Sequence, residues 1–329
     1  MGYTAPTWQN GGPPALNAEN MQAISDNLAY VSNNMVNPNL LDNWDFGNPV
    51  NQRGQTSYTG PGHTIDRWKL YSWNVNSAAV HVVADGVRIV GTSDSPNSCE
   101  LIELVQLPIP AGTVVTASIL ISAIVVNIGS PVLQLCKSNG DAIAGVNTLS
   151  VGLHTFTAVI PADIGDSVLI RWGQDGSSAG NGNTDITAKA VKLELGSQQT
   201  LAHQENGKLV LNETTKFGDQ LAECQRYFVR IGSDSAYRIV GTGTAYGSST
   251  CGILVPLPVE MRTIPAVSIV GQLVLRNKAG SEVVCSGVAL DIVGVATAYL
   301  NCTASGLTLG ASYDAYLAPG SYLSLSADL

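Results

Sequence analysis

The chain has 329 residues, a formal net charge of −9 and only 12% charged residues, about half of the roughly 25% that is usual in soluble domains. The acidic balance argues against nucleic-acid binding, which needs a basic stripe to neutralise phosphates. The length suggests two or three domains, and the apolar fraction of 45% is that of a globular protein. A composition poor in charge and rich in Gly, Ser, Thr, Asn and Val favours β-structure and surfaces that are buried between subunits.

Membrane, export and metal signals are missing from the sequence. The most apolar stretch, Val114 to Val126, is shorter than the roughly 20 residues that a bilayer crossing needs, so no membrane insertion is expected. The first twelve residues lack the basic region and the apolar core of a signal peptide, so we expect the protein to be made in a cytoplasm. The six cysteines are far apart and form no CxxC pair, which predicts small buried thiols that stay reduced. We expect neither a metal nor another cofactor.

The first predicted element is a helix within residues 1–38. Its apolar residues are spaced by three and four positions, as in the seam of a coiled coil. They are Met21, Ile24, Leu28, Val31 and Met35. The remaining positions are almost all polar or small, so an isolated helix of about five turns would be marginal. The helix therefore needs copies of itself or another partner, and packing against its own domain is the alternative.

Residues 39–201 predict a first β module. Short apolar strands alternate with Gly-rich turns and no helical pattern intervenes, which is typical of a sandwich or jelly roll. The strand Val191 to Leu195 alternates fully, and this predicts Val191, Leu193 and Leu195 inside, with Lys192 and Glu194 outside.

A connector over residues 202–228 and a second β module over residues 229–329 complete the predicted organisation. Within the connector, the spacing of Phe217, Leu221, Cys224 and Phe228 predicts a helix from Glu213 to Tyr227. The predicted fold class is therefore mainly β, with a coiled-coil-like helix followed by two jelly-roll-like sandwich modules.

Three segments resemble a family of bacteriophage tail-fibre and receptor-binding proteins. They are Trp8 to Asn20, Asn39 to Gly54 with its continuation through Thr64 to Trp68, and Leu221 to Phe228. The second segment resembles the opening of a jelly roll similar to carbohydrate-binding modules, and Val191 to Gly196 resembles its closing strand. The resemblance implies a homotrimeric virion fibre that is made in the host bacterium. It would attach through its N-terminus to other tail or baseplate proteins and recognise the host surface through its β modules.

The sequence contains no constellation of catalytic residues. His63 lies close to Asp66, but no nucleophile motif accompanies them and a GxSxG elbow is absent. We therefore expect the protein not to be an enzyme.

Exposed aromatic residues are the candidate contacts for a glycan, because sugar C–H groups lie on aromatic faces. On the strand that begins at Trp68, alternation predicts that Trp68 and Leu70 face the core and that Tyr71 and Trp73 face solvent. The candidates are Tyr71, Trp73 and Trp172 in the first module and Tyr237, Tyr246 and Tyr313 in the second, which is expected at the free end of the fibre. Two alternatives stay open: a purely structural head fibre or baseplate spacer, and a bacterial surface-binding module unrelated to phage.

Overall fold

The computed structural model of the protein describes residues 21–26, 36–92, 98–106, 108–127, 130–175 and 183–328. Residues 21–26 are helical (α1), and a second helix, α2, spans Phe217–Gln225. The rest of the regular structure consists of strands, numbered β1 to β24 along the chain, and every pairing between described strands is antiparallel. The prediction of a mainly β protein is confirmed.

The first module is a sandwich of two six-stranded sheets. The first sheet has the order β1 (Ser57–Thr59), β4 (Ser77–Val83), β5 (Gly86–Thr92), β12 (Thr184–Leu195), β7 (Val114–Asn127) and β10 (Gly152–Val159). The second sheet has the order β2 (Gly62–His63), β3 (Lys69–Trp73), β6 (Ser98–Val105), β11 (Val168–Asp175), β8 (Ser130–Lys137) and β9 (Ala142–Val146). The chain passes repeatedly from one sheet to the other, as in a jelly roll.

Large aromatic side chains fill the centre of this sandwich. Trp68 and Trp172 are fully buried, and the Phe46 ring contacts both, with centroid distances of 5.2 Å to Trp68 and 5.7 Å to Trp172. Leu70, on β3 two residues after Trp68, is also fully buried. These side chains remove a large apolar area from water, which is the main force that holds two sheets together.

The side-chain alternation predicted for the end of β12 is wrong in part. Lys192 and Glu194 are fully buried, whereas Leu195 is half exposed. The Lys192 Nζ atom lies 3.7 Å from Glu194 Oε2 and also contacts the carboxylate of Glu213, and Glu194 Oε1 accepts a hydrogen bond from the Thr200 amide at 2.7 Å. The segment after β12 folds back over its outer face, so both faces of this strand are covered.

The connector contains the hairpin of β13 (Ala202–Glu205) and β14 (Lys208–Leu211), followed by α2. The predicted helix is present but begins four residues later than expected. Cys224 is buried, whereas Phe217, which was expected on the apolar face, is exposed. The helix packs against the rest of the protein through Gln220 and Cys224, which are its buried residues, and its first residue stays at the surface.

The second module has its own core, enclosed by two sheets. The three-stranded sheet has the order β15 (Phe228–Ser233), β24 (Ser321–Ser326) and β18 (Ala266–Val270). The seven-stranded sheet has the order β20 (Glu282–Val284), β19 (Leu273–Asn277), β23 (Ser312–Leu317), β16 (Arg238–Ala245), β17 (Thr250–Pro256), β22 (Thr297–Thr303) and β21 (Gly287–Val293). Buried residues such as Ile253, Leu300 and Leu323 form the core between them.

The six cysteines are free thiols, and all except the partly exposed Cys285 are buried. Among the described residues, no helix combines the length and apolarity that a membrane crossing requires.

Candidate functional site

Two aromatic side chains stand side by side on the outer face of the first module. Tyr71 is 44% exposed and Trp73 is 54% exposed, and they alternate on β3 with the buried Leu70 and the half-buried Ser72. The alternation predicted for this strand is confirmed. Two half-exposed aromatic side chains on one strand form an apolar patch at the surface, and such patches often mark binding sites.

A row of residues crosses the second sheet at the level of Tyr71. Tyr71 pairs with Glu100 on β6, Glu100 pairs with Gly173 on β11, and Gly173 pairs with Val132 on β8. Gly173 has a φ of +138°, and a Cβ atom there would lie 2.4 Å from the Cys99 carbonyl oxygen. The position therefore requires glycine, and the sheet surface beside Glu100 carries no side chain at this point.

Arg171 organises the polar groups of the neighbouring row. Its Nε atom donates to Gln134 Oε1 at 2.8 Å, and its Nη1 atom donates to Glu100 Oε2 at 3.3 Å. Its Nη2 atom lies 3.5 Å from Asp175 Oδ2. Gln134 in turn donates to Asn147 Oδ1 at 3.1 Å. These contacts fix the orientation of carboxylate and amide groups on β6, β8 and β11, and Glu100 on β6 pairs directly with Tyr71.

Glu100 is the most perturbed ionisable group of this face. Burial raises its pKa to about 7, although the positive charge of Arg171 opposes the shift and the carboxylate of Asp175 adds to it. Its Oε1 atom has no hydrogen-bond partner among the described residues. Near neutral pH the carboxyl group is therefore present in both protonation states, and it is able to donate or accept a hydrogen bond.

Two of the predicted aromatic candidates are buried, and their proposed role as surface contacts is corrected. Trp172 is fully buried and packs on Phe46, because β11 turns it towards the core while Arg171 faces outward. Tyr313 lies on the core side of β23, and its hydroxyl oxygen accepts a hydrogen bond from the Thr308 amide at 3.0 Å.

The two remaining candidates are exposed on the second module. Tyr237 packs edge-on against Tyr316 with a centroid distance of 5.5 Å. Tyr246 is about half exposed. No hydrogen bond or ring contact described in the structure joins either residue to the face of Tyr71 and Trp73, so the first module's exposed pair forms a separate surface.

The predicted N-terminal seam is described only in part. Met21 is 52% exposed and Ile24 is 48% exposed in the single chain. Leu28, Val31 and Met35 lie outside the described residues.

Sequence reasoning missed the polar groups of this face, Arg171 and Asp175, and the buried Glu100 and Gln134 that hold Arg171. A charged residue inside an otherwise apolar strand, such as Arg171 in Val168 to Trp172, is the signal that could have found it. Among the described residues, no group of three or more His, Cys, Asp or Glu side chains is placed to hold a metal ion.

Comparison with known proteins assigns the chain to no family. No protein-family model matches the sequence, and no curated protein matches it.

Among solved structures, the chain is similar to a CBM4 structure at 15% identity, covering 47% of this chain and 99% of that one, with a TM-score of 0.29. It is similar to the enzymatically active domain of tailspike protein 4 from bacteriophage CBA120 at 12% identity, covering 48% of this chain but only 21% of that one, with a TM-score of 0.26. It is also similar to the adhesin domain of Epf from Streptococcus pyogenes at 9% identity, covering 87% of each chain, with a TM-score of 0.29. These values are too low to support a conclusion about function.

Proposed function

We propose that the protein is a receptor-binding fibre of a bacteriophage tail that attaches the virion to a glycan on the bacterial surface. The assignment to a tail fibre is based on the sequence resemblance of the N-terminal, jelly-roll and junction segments described above. In this proposal the N-terminal helix forms a trimeric coiled coil, and its leader joins other tail or baseplate proteins. The protein acts by binding and performs no catalysis.

The observation that carries the glycan assignment is the exposed Tyr71–Trp73 pair beside the Arg171 network. Aromatic faces accept the C–H groups of a sugar ring, while fixed carboxylate and amide groups bind its hydroxyls. Arg171 and Asp175 supply such polar groups at the surface, since their side chains are 18% and 20% exposed and lie 3.5 Å apart. Glu100 and Gln134 are buried and hold Arg171 in place. The surface therefore combines the two kinds of contact that a sugar requires. The second module offers a comparable surface, because Tyr316, which packs on Tyr237, interacts with Glu282, and Glu282 Oε1 lies 3.9 Å from Arg276 Nε. Variants in the two modules therefore decide between them.

Three copies of the site in one fibre would raise the apparent affinity. Individual sugar sites on an open sheet face are weak, because little of the ligand is buried. Linked sites that engage one cell surface bind with a much greater avidity than any single site.

An array of bacterial surface polysaccharides tests the proposal with the full-length protein. We expect the wild type to bind at least one polysaccharide and Trp73→Ala to weaken that binding by about fivefold or more, since truncating an aromatic anchor costs more than about 1 kcal/mol. Tyr237→Ala is the matched control, because it removes an exposed aromatic ring from the second module. The opposite pattern would move the receptor site to the second module. Absence of all binding and of cell adsorption would favour the alternative of a purely structural fibre or spacer.

A further inference from the structure

A cleft of about 490 Å³ lies between the two β modules. One wall belongs to the first module and includes Arg53, Thr59 and His63. The other wall belongs to the second module and includes Arg230, Tyr322 and Ser324. This cleft shares none of its lining residues with the face of Tyr71 and Trp73.

The charge of the cleft differs from that of the whole protein. The chain has 25 acidic and 16 basic residues, yet three cleft-lining side chains are Arg or His and none carries a carboxyl group. The carboxylates of Asp66 and Asp328 form ion pairs with Arg53, and both side chains are almost fully buried. Arg53 is therefore compensated, and Arg230 is the other arginine that lines the cleft.

Arg230 is held by neutral groups. Its guanidinium lies 3.4 Å from the centre of the Tyr322 ring, and its Nη1 atom donates to the carbonyl oxygen of Gln52 at 3.3 Å and to that of Arg53. Among the described residues, no carboxylate lies within ion-pair distance of it, and its Nε and Nη2 atoms have no hydrogen-bond partner. At the other end of the ring, the Tyr322 hydroxyl donates a hydrogen bond to the Asp234 carboxylate. This carboxylate places a negative charge near the Tyr322 ring.

Stacking and two carbonyl contacts leave Arg230 preorganised with free donors. A guanidinium in this state binds a planar or tetrahedral anion with little further loss of side-chain freedom. The hydroxyl groups of Thr59 and Ser324 line the same space, and the volume is within the range of small-molecule sites. The combination suits a ligand that carries one anionic group on a hydroxylated body.

We propose that this cleft binds a carboxylate or phosphate group carried by a sugar or polyol, with Arg230 as the main ionic contact. Uronic acids and sugar phosphates share this chemistry. Because its two walls belong to different modules, the bound ligand would also hold the modules together. The inference does not depend on the glycan site of the first module, since the two surfaces have no residue in common.

Isothermal titration of the full-length protein at low salt tests the inference with three probes: glucuronic acid, glucose 6-phosphate and glucose. We expect the anionic probes to bind and glucose not to bind. Binding of glucuronic acid alone would identify the ligand as a carboxylate, and binding of glucose 6-phosphate alone would identify it as a phosphate. Equal binding of glucose, or no binding by either anion, would overturn the inference.

Two pairs of variants locate the site. Arg230→Gln should weaken anion binding by more than about tenfold, while Arg238→Gln, at an exposed arginine outside the cleft, should not. Because Arg230 also holds the two modules together, Thr59→Glu and Thr59→Gln provide a test at an exposed position of the cleft wall. The added carboxylate should weaken binding by about fivefold, the factor that corresponds to about 1 kcal/mol between charges roughly 4 Å apart in water. Equal affinities of the Glu and Gln variants would place the anion elsewhere.

Discussion

The guanidinium of Arg67 lies 3.5 Å from the centre of the Tyr227 ring and so joins the first β module to the connector. Its Nε atom donates to Asp42 Oδ2 at 2.9 Å, and its Nη2 atom donates to the Leu104 carbonyl oxygen at 2.9 Å. The same nitrogen lies 3.6 Å from Glu103 Oε1. One buried arginine therefore compensates two carboxylates and covers an aromatic face of the neighbouring element.

Replacing Arg67 should cost far more than replacing an arginine in a surface pair. We expect Arg67→Met to lower the free energy of unfolding by about 3 kcal/mol or more, because the buried Glu103 loses its cation. Arg276→Met is the control, since Arg276 pairs with Glu282 where both side chains are more than half exposed, and such pairs contribute about 1 kcal/mol or less. Urea unfolding at pH 8 measures both. Equal losses in the two variants would contradict the role assigned to Arg67.

The stability should increase as the pH falls from 8 to about 5. Burial raises the pKa of Asp66 to about 6 and that of Glu100 to about 7, and it also raises the pKa of Glu103. The folded state therefore binds more protons than the unfolded state over this window. The stabilisation is fully present below the unfolded pKa values and is lost as the pH rises through the folded ones.

Thermal unfolding at constant ionic strength measures this dependence. We expect a higher Tm at pH 5.5 than at pH 8, with each shifted carboxyl group contributing on the order of 1 to 3 kcal/mol across the window. Glu100→Gln should flatten the curve between pH 6 and 8, because the amide does not titrate. A Tm that falls steadily on acidification from pH 8 to 5.5 would show that these carboxyl groups are not shifted upwards.

The sequence predicts faces well where a strand has one buried side and one exposed side. Trp68 and Leu70 face the core, and Tyr71 and Trp73 face solvent, as the alternation requires. The same rule fails for Lys192, because alternation contains no information about a later segment that covers the second face of a strand.

Cross-strand relationships are the other part that sequence reasoning did not reach. Glu100 and Arg171 are 71 positions apart, and only the pairing of β6 with β11 brings them together. Residue type alone did not predict whether Trp172 faces the core or the surface. It was a candidate sugar contact, but one step along β11 from the outward-facing Arg171 places it in the core.

Two glycines should respond to alanine with opposite signs. Gly173→Ala should destabilise the first module by more than about 1 kcal/mol, because its φ of +138° and its close approach to the Cys99 carbonyl leave no room for a Cβ atom. Gly218→Ala, on α2 with open space around it, should stabilise the protein by up to about 1 kcal/mol. Urea titrations of the two variants compare them directly. A neutral Gly173→Ala would refute the close approach between β11 and β6.

The N-terminal seam predicts that the protein is a trimer. Light scattering should give the full-length protein a mass of three chains, each of 34.3 kDa. Met21 and Ile24 are about half exposed in one chain, and the 3-4 spacing that continues through Leu28 needs partner helices to bury these side chains. Ile24→Asp combined with Leu28→Asp should therefore weaken association, because each helix would place unpaired charges inside the seam. Gln22→Asp combined with Asn33→Asp adds the same two charges per chain outside the seam and should leave the mass unchanged. A wild-type mass of one chain would exclude the trimer, and equal effects of the seam and control variants would show that the helix associates through a different face.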